Sequence, residues 1–385
     1  MSQRLKLGIA GLGNAGQAVL RDLSVIAEVT LGAVADVRPE AVEACRAKYP
    51  QVETYASVEA MCRSEKIDGL WIATPNEFHA AHAVAAANAG KHIVCEKPMA
   101  LNLAECDRMI VAAAKNGVQL LMHSKAGDPP IRKMREIIAG GRLGRPFQIN
   151  SWNYKSWLNY PRLPAELDTS KGGGIVFRQG SHQVDIVRTI GGGLIRSVRA
   201  VTGKYHPHID TEGNYTAFVE FVDGTPATLV FNGYGGFDMT ELTWGIGEGG
   251  YEQAESSRQK TSLEAPLSPA AKYAEPSRAE QRQRRGARRQ PFFGLTLVSC
   301  EKGDIRQSPD GLYIYTEEGR EEILCPPFMD RAGELRRLYD AVIQDRPEFA
   351  DGKWGKATLE VLLAILRSSR ERCEIYLQHQ VPCTL

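Results

Sequence analysis

The sequence predicts an α/β chain in two parts: a doubly wound parallel sheet in the first third and a larger, separate domain after it. Three observations predict this. Short apolar strands alternate with helices between Leu5 and Met122, and strands joined by helical crossovers run parallel. A Gly11-Leu12-Gly13-Asn14-Ala15-Gly16 turn follows the first strand at once and opens a helix. At 385 residues the chain is long enough to fill two cores.

Bulk properties bound the function classes. Apolar residues make up 43% and charged residues 24%, the balance of an ordinary soluble globular protein. A formal net charge of +1 gives no global attraction to nucleic acid or to an anionic membrane. No apolar run approaches the ~20 residues of a membrane span, and Met1-Ser2-Gln3-Arg4 leads into a strand without a signal-peptide pattern. The eight cysteines form no C-x-x-C pair, and Cys45, Cys62, Cys95 and Cys106 sit among apolar neighbours as reduced thiols do. A cytoplasmic protein is expected.

The elements follow in order. Strand Leu5–Ala10 enters the glycine turn, and a helix runs from about Gln17 to Ile26. Gly11 permits the tight turn, Gly13 lets the backbone approach a pyrophosphate, and Gly16 lets helix and strand pack closely. Asn14 and Ala15 lie within the turn as further cofactor contacts, and the N–H groups and positive dipole end of the helix after it suit phosphates. Strand Val29–Ala35 ends in Asp36, near the distance expected for a ribose-binding acid. A carboxylate there accepts hydrogen bonds from ribose hydroxyls and repels a 2′-phosphate, which favours NAD over NADP. Arg38 either softens that preference or is a solvated residue at the start of the next helix, Pro39–Lys48.

Ser57 caps a short helix, and Gly69–Ala73 is a buried strand turned by Thr74-Pro75-Asn76 into an Ala-rich helix from His79. Thr74 and Asn76 are placed to reach a cofactor; His79 and His82 are either catalytic or capping or surface histidines, and His79 is also a candidate cofactor contact. Strand His92–Cys95 ends in Glu96-Lys97 and is stopped by Pro98. A lysine at the carboxyl end of such a strand points into the ligand crevice, so Lys97 is a candidate catalytic group. Helix Leu103–Asn116 and strand Val118–Met122 complete a first domain over residues 1–125. His123, just after its last strand, is a candidate substrate contact.

Residues Gly11 to Gly16, Ala73-Thr74-Pro75-Asn76 with His79, and Glu96-Lys97-Pro98 together resemble the Gfo/Idh/MocA oxidoreductases. The resemblance implies an N-terminal Rossmann domain and a C-terminal α/β domain with a large, mostly antiparallel open sheet. It also implies Lys97, with Glu96, near the nicotinamide and the reacting hydroxyl, and a homodimer or homotetramer built on the open sheet face.

A second domain is expected over residues 126–385. A helix (about Ile131–Ala139) leads to strand Arg145–Trp157 and a Pro-rich loop with Arg162. Gly172-Gly173-Gly174 then begins a segment with helical apolar spacing from about Gly180 to Ile190, which puts His182 in the first turn. The family pattern has G-G-G, an Asp, a catalytic His four residues later and a second Asp three further on. His182 and Asp185 match it, whereas Arg178 stands where the first Asp belongs. Beside His182 a guanidinium would favour the neutral imidazole that a general base needs, and its planar fork matches a carboxylate. Arg178 therefore suggests an anionic substrate, the other reading being an arginine turned to solvent.

Segments 161–168, 172–185, 211–213, 294–301 and 354–361 resemble the phthalate dihydrodiol dehydrogenase branch of the family. That resemblance implies NAD-linked oxidation of 4,5-dihydro-4,5-dihydroxyphthalate, a dianion for which Arg178, Lys155, Arg162 and Lys171 are available cations. A sugar, inositol or uronic-acid dehydrogenase and a non-catalytic dinucleotide-sensing regulator are the alternatives within the family. Residues 248–290, rich in Ser, Pro, Gln and Arg, are expected to form an exposed insertion. Strands Phe293–Ser299 and Leu312–Tyr315, helices Glu334–Gln344 and Thr358–Ser369, and a short strand near Ile375 follow. His206 and His208 lie in an expected loop without a nearby third ligand, so no metal is assigned.

Overall fold

In the computed structural model residues 3–158, 162–252 and 288–385 are described, and the chain divides into two compact units. The first comprises Met1–His123 and Met329–Leu359, the second Ser124–Phe328 and Glu360–Leu385.

The first unit is built on a six-stranded sheet. Its strands are β1 (Leu5–Ala10), β2 (Val29–Ala35), β3 (Glu53–Tyr55), β4 (Gly69–Ile72), β5 (His92–Cys95) and β6 (Leu120–Met122). All pairs are parallel, in the order β3-β2-β1-β4-β5-β6. Helices α1 (Asn14–Asp22), α2 (Pro39–Lys48), α3 (Val58–Cys62), α4 (His79–Asn88) and α5 (Leu103–Lys115) alternate with the strands. Ser57 and Asn102 cap α3 and α5 by accepting the backbone N–H of Ala60 and Glu105. The doubly wound sheet read from the sequence is therefore present. Its strand order reverses between β1 and β4, and the carboxyl ends of strands at such a point are where α/β sheets bind ligands.

The core of this unit joins Leu5, Leu7 and Ile9 of β1 and Trp71 of β4 to Leu335, Leu338 and Tyr339. The last three lie on the next long helix, Arg331–Ile343. This corrects the expectation of a continuous second domain over 126–385: residues 329–359 return to the first unit because they carry the apolar side chains that close its core.

The second unit carries nine strands among the described residues. They are β7 (Pro146–Tyr154), β8 (Ile195–Gly203), β9 (Asn214–Phe221), β10 (Pro226–Asn232), β11 (Leu295–Cys300), β12 (Gly303–Gln307), β13 (Gly311–Thr316), β14 (Gly319–Leu324) and β15 (Ile375–Tyr376). Their order is β14-β13-β12-β11-β7-β10-β9-β8-β15, antiparallel throughout except between β7 and β10. Burial alternates along β9 and β10, as in a sheet with one face covered. Tyr215, Ala217, Val219 and Phe221 of β9 are buried, whereas Phe218 of β9, Val201 of β8 and Trp152 of β7 are exposed. Helices α6 (Pro129–Ala139) and α7 (Ser181–Ile190) belong to this unit. The helix Arg331–Ile343 is α8, and α9 (Gly352–Glu371) gives its first eight residues to the first unit and the rest to the second.

Residues 253–287 lie outside the described residues, and with them most of the expected insertion and of the arginine run that begins at Arg282; Tyr160 and Pro161 lie outside as well. The described ends of the insertion are in part buried, against the expectation of an exposed insertion. Glu252 bridges to Ile246, Arg289 N–H donates to Gly250 O, and Gly249, Gly250 and Gln290 are buried. Arg288 donates to Gly249 O and lies 4.5 Å from the Phe328 ring centre, and Arg289 pairs with Asp310 at 2.6 Å.

Candidate active site

The glycine turn is shaped by backbone contacts. Gly11 adopts φ +91°, and a Cβ there would lie 2.6 Å from Ala73 O, at the end of β4. A Cβ on Gly16 would lie 1.9 Å from Gly11 O, so only glycine lets α1 pack this closely on the turn. Gly13 is the N-cap residue of α1 and offers backbone without a capping side chain. Asn14 and Ala15 begin the helix, and Asn14 is exposed. These residues fit a dinucleotide: a close-packed glycine turn ends in first-turn N–H groups that suit a pyrophosphate.

Asp36 reaches back to the turn. Its Oδ2 accepts the Leu12 N–H at 2.7 Å, and its two oxygens take the Arg38 fork at 3.0 Å each. Burial works against the charge of Asp36, but these donors outweigh it and hold the carboxyl below its usual range. Arg38 is thus neither a fully solvated residue nor independent of Asp36.

At the ends of β4 and β5 two histidines hold the turns. His79 is completely buried; Nε2 faces Thr74 O at 2.9 Å and Nδ1 faces Pro98 O at 2.8 Å. The expectation that His79 touches the cofactor is corrected, because both ring nitrogens are occupied by main-chain carbonyls and the ring ties the Thr74 turn to the Lys97-Pro98 turn. His82 Nδ1 meets Thr74 Oγ1 at 3.0 Å. Asn76 opens the short turn before α4 and is half-buried. Lys97, also half-buried, precedes a cis peptide to Pro98.

Glu96 is buried and faces two cations: Arg331 Nη2 at 3.2 Å and His123 Nε2 at 4.0 Å. His123 Nδ1 makes a short hydrogen bond to Glu334. Burial opposes ionisation of Glu96, but His123, Arg331 and Lys97 prevail and pull its carboxyl down to about 2. Burial likewise opposes the charge on His123, but Glu334 and Glu96 outweigh it and raise the imidazole above its ordinary value. The reading of His123 as a substrate contact is corrected: it is a buried link in an ion network, closed between two carboxylates.

In the second unit the three glycines are a packing device. Gly172 and Gly174 have φ +72° and +77°, and a Cβ on Gly174 would lie 2.2 Å from Glu212 Oε1. That close approach lets Glu212 accept the Val176 N–H at 3.2 Å and the Thr169 hydroxyl at 2.7 Å. From this anchor Val176–Gly180 forms a π-helical turn that runs into α7, extending the expected helix towards the glycines. Such turns recur at functional sites. Arg178 lies on it, and His182 follows in the first turn of α7, its ring centre 5.3 Å from that of Phe293.

The cations proposed for substrate carboxylates are mostly engaged. Arg178 Nη2 pairs with Glu166 at 2.9 Å, and Glu166 is itself fixed by the Leu163 N–H at 2.8 Å. Arg178 keeps 29% side-chain exposure. Lys155 pairs with Glu248 at 2.6 Å. Arg162 is buried, lies 3.8 Å above the Trp157 ring and donates twice to Trp157 O. It is corrected to a structural clamp, since its donors serve the backbone. Lys171 is exposed in the turn Thr169–Lys171. Asp185 is corrected too: its Oδ2 accepts the Ser124 hydroxyl at 2.6 Å and the Ala126 N–H at 2.8 Å, so it anchors the chain where the second unit begins.

Reading by sequence missed Glu166, Glu212, Arg331 and Glu334. The last two act on Glu96 and His123 from 235 and 211 residues away, a separation that leaves no local signal. Among the described residues no group of three or more His, Cys, Asp or Glu could hold a metal, and no helix is long and apolar enough to cross a membrane.

Comparison with known proteins bears on the whole chain. A model of the oxidoreductase family with an NAD-binding Rossmann fold matches residues 5–124, and a model of the GFO/IDH/MocA C-terminal domain matches 131–241. A curated relative, 1-carboxy-3-chloro-3,4-dihydroxycyclo hexa-1,5-diene dehydrogenase of Comamonas testosteroni, is 33% identical over 377 residues, covering 95% of each chain. Myo-inositol 2-dehydrogenase of Thermotoga maritima is 28% identical over 51% of this chain and 58% of its own. A solved structure from Bordetella bronchiseptica RB50, provisionally described as a dehydrogenase, superposes with a TM-score of 0.87 at 35% identity, covering 97% of this chain and all of that one. With its glycine turn, its Glu96-Lys97-Pro98 strand end and the length of these matches, the chain belongs to the Gfo/Idh/MocA family of oxidoreductases, dehydrogenases with an NAD-binding Rossmann domain.

Proposed function

We propose that the protein oxidises a carboxylated cyclic cis-dihydrodiol with NAD, the substrate being 4,5-dihydro-4,5-dihydroxyphthalate and the product 4,5-dihydroxyphthalate. The observation that carries this reading is the near full-length similarity to a dehydrogenase whose name places a carboxyl group and two vicinal hydroxyls on a cyclohexadiene ring. Arg178 is this chain's own counterpart to that carboxyl group. Glu166 holds one arm of the guanidinium, so the fork is oriented before a substrate arrives. Lys155 and Lys171 are the further cations that a second carboxylate would call on.

Lys97 and His182 share the proton chemistry. His182 removes the proton from the reacting hydroxyl, and Lys97 stabilises the negative charge that develops on that oxygen. When bound, the nicotinamide cofactor accepts the hydride. The hydroxy-ketone that results tautomerises to a catechol, and the aromaticity gained draws the reaction forward. Gly11, Gly13, Asn14, Ala15 and Gly16 hold the pyrophosphate, Asp36 the ribose, and Thr74 and Asn76 flank the cofactor. Asp36 makes NAD the preferred cofactor, and its pairing with Arg38 limits that preference without reversing it.

Purified protein given NAD and the authentic dihydrodiol should produce NADH absorbance, with a higher kcat/KM than for NADP. An absence of NADH with that substrate and with its single-carboxylate analogue would refute the reading. The competing reading, a dehydrogenase of neutral polyols, draws on the partial match to the Thermotoga enzyme. Arg178→Asp separates the two: it should cost an enzyme of carboxylated diols about tenfold or more in kcat/KM, while leaving turnover of inositol unimpaired in a polyol enzyme.

A further inference from the structure

The buried ion network of the first unit does more than hold helix α8 to the sheet. It starts at the residue before Lys97 and continues through groups that the proposed chemistry does not use. Glu96 faces Arg331 at 3.2 Å and His123 at 4.0 Å. His123 faces Glu334, whose other oxygen lies 3.4 Å from Arg337 Nη2; Arg337 Nε lies 3.5 Å from Glu348. Arg331 also reaches Asp330 at 3.6 Å, and its backbone N–H donates to Asp22. The indole ring of Trp71, on β4, lies 6.0 Å from the His123 ring. These charged and aromatic groups, with Lys97 acting on Glu96, lie against His123 and its partners.

Charge counting along the chain of contacts is informative. Glu96, Glu334, Glu348, Asp330 and Asp22 supply five negative charges; Arg331, Arg337 and a protonated His123 supply three positive ones. With His123 neutral, the network loses one of its three positive charges, at the contact with Glu96 and next in sequence to Lys97. A buried group of this kind is not screened as a surface pair would be. That loss would hold the Lys97 ammonium more firmly protonated, and a charged His123 lets the amine form be reached at lower pH.

We propose that His123 is a positioning residue for Lys97: clamped between Glu334 and Glu96, it fixes the strand end that carries the lysine and supplies the charge that balances Glu96. The proposal rests on the assignment of Lys97 to the proton chemistry, and it adds residues from α8 to the machinery of the cofactor domain. His123 touches no substrate in this account and acts through Glu96. The raised protonation of the imidazole between its two carboxylates supports the charge count.

The test uses the full chain and two variants, His123→Gln and His123→Asn, each of which removes the imidazole charge and leaves Glu334 in place. The titration of Lys97 is followed directly, as the pH dependence of its rate of reductive methylation, read by peptide mass spectrometry in the presence of NAD. In both variants the midpoint for Lys97 should move upward by roughly half a pH unit or more. Where turnover is measurable, the alkaline shift should appear in kcat with KM for NAD nearly unchanged. A Lys97 midpoint identical to the parent in a folded variant, with only thermal stability lowered, overturns the proposal. If His123→Gln does not fold, His123→Asn alone decides by the same readout. A shifted Lys97 midpoint without turnover of any dihydrodiol would refute the substrate assignment and leave this inference standing.

Discussion

At the scale of single residues, side chains that look catalytic in the sequence divide into those that hold the fold and those that remain for chemistry. His79, His123, Arg162 and Asp185 all have polar atoms committed to partners inside their own unit. Lys97, Arg178 and His182 retain partial exposure. The buried network sets a pH window. His123 is raised in the fold, so its stabilising contribution is complete below the unfolded value of about 6.5 and is lost as pH rises through the raised one. Glu96 is lowered to about 2, so its contribution is complete above an ordinary value of 4.5 and is lost as pH falls towards 2. The melting temperature should therefore pass through a plateau between about 4.5 and 6.5 for these two groups. His123→Gln should flatten its alkaline fall, which differential scanning calorimetry across pH would register.

At the scale of elements, the π turn before α7 depends on the glycines in front of it. Gly174→Ala combines a disfavoured φ of +77° with a Cβ 2.2 Å from Glu212. It should cost about 2–4 kcal/mol and lower kcat by disturbing the segment that carries Arg178 and His182, as denaturant melts and steady-state assays would reveal. An unchanged midpoint would mean that Glu212 moves aside without loss. The parallel sheet was legible because its signals are local: the glycine turn, caps such as Ser57 and Asn102, and apolar runs of strand length. Strands β8, β9 and β10 were not placed individually, because half-buried antiparallel strands announce themselves by alternation that surface apolar residues such as Val201 and Phe218 blur. The first turns of α9 escaped notice because Gly352 and Gly355 dilute the helical pattern. The partners of Glu96 and Arg178 were invisible for a different reason: they are supplied by tertiary contact, not by spacing.

At the scale of the whole molecule, the open face of the nine-stranded sheet carries Trp152, Val201 and Phe218 at 37%, 59% and 47% exposure. Exposed apolar side chains of this size on one sheet face suit an association surface, and the homodimer or homotetramer expected from the sequence would use it. Phe218→Glu should shift the mass measured by light scattering towards the monomer, and an unshifted mass would place the interface elsewhere. The return of residues 329–359 to the first unit has a further effect. Leu335, Leu338 and Tyr339 close its core, and at about 1.5–3 kcal/mol for each buried side chain their loss removes roughly 5–9 kcal/mol, comparable to the whole stability of a domain. A chain ending at Phe328 should have a first unit that exchanges its amide hydrogens without protection, while a native-like exchange pattern in that fragment would contradict this. On the ribosome, then, most of the cofactor domain is made before the second unit and is finished only after most of it: residues 124–328 intervene before its core can close, and chaperones have their longest opportunity to engage it during that interval.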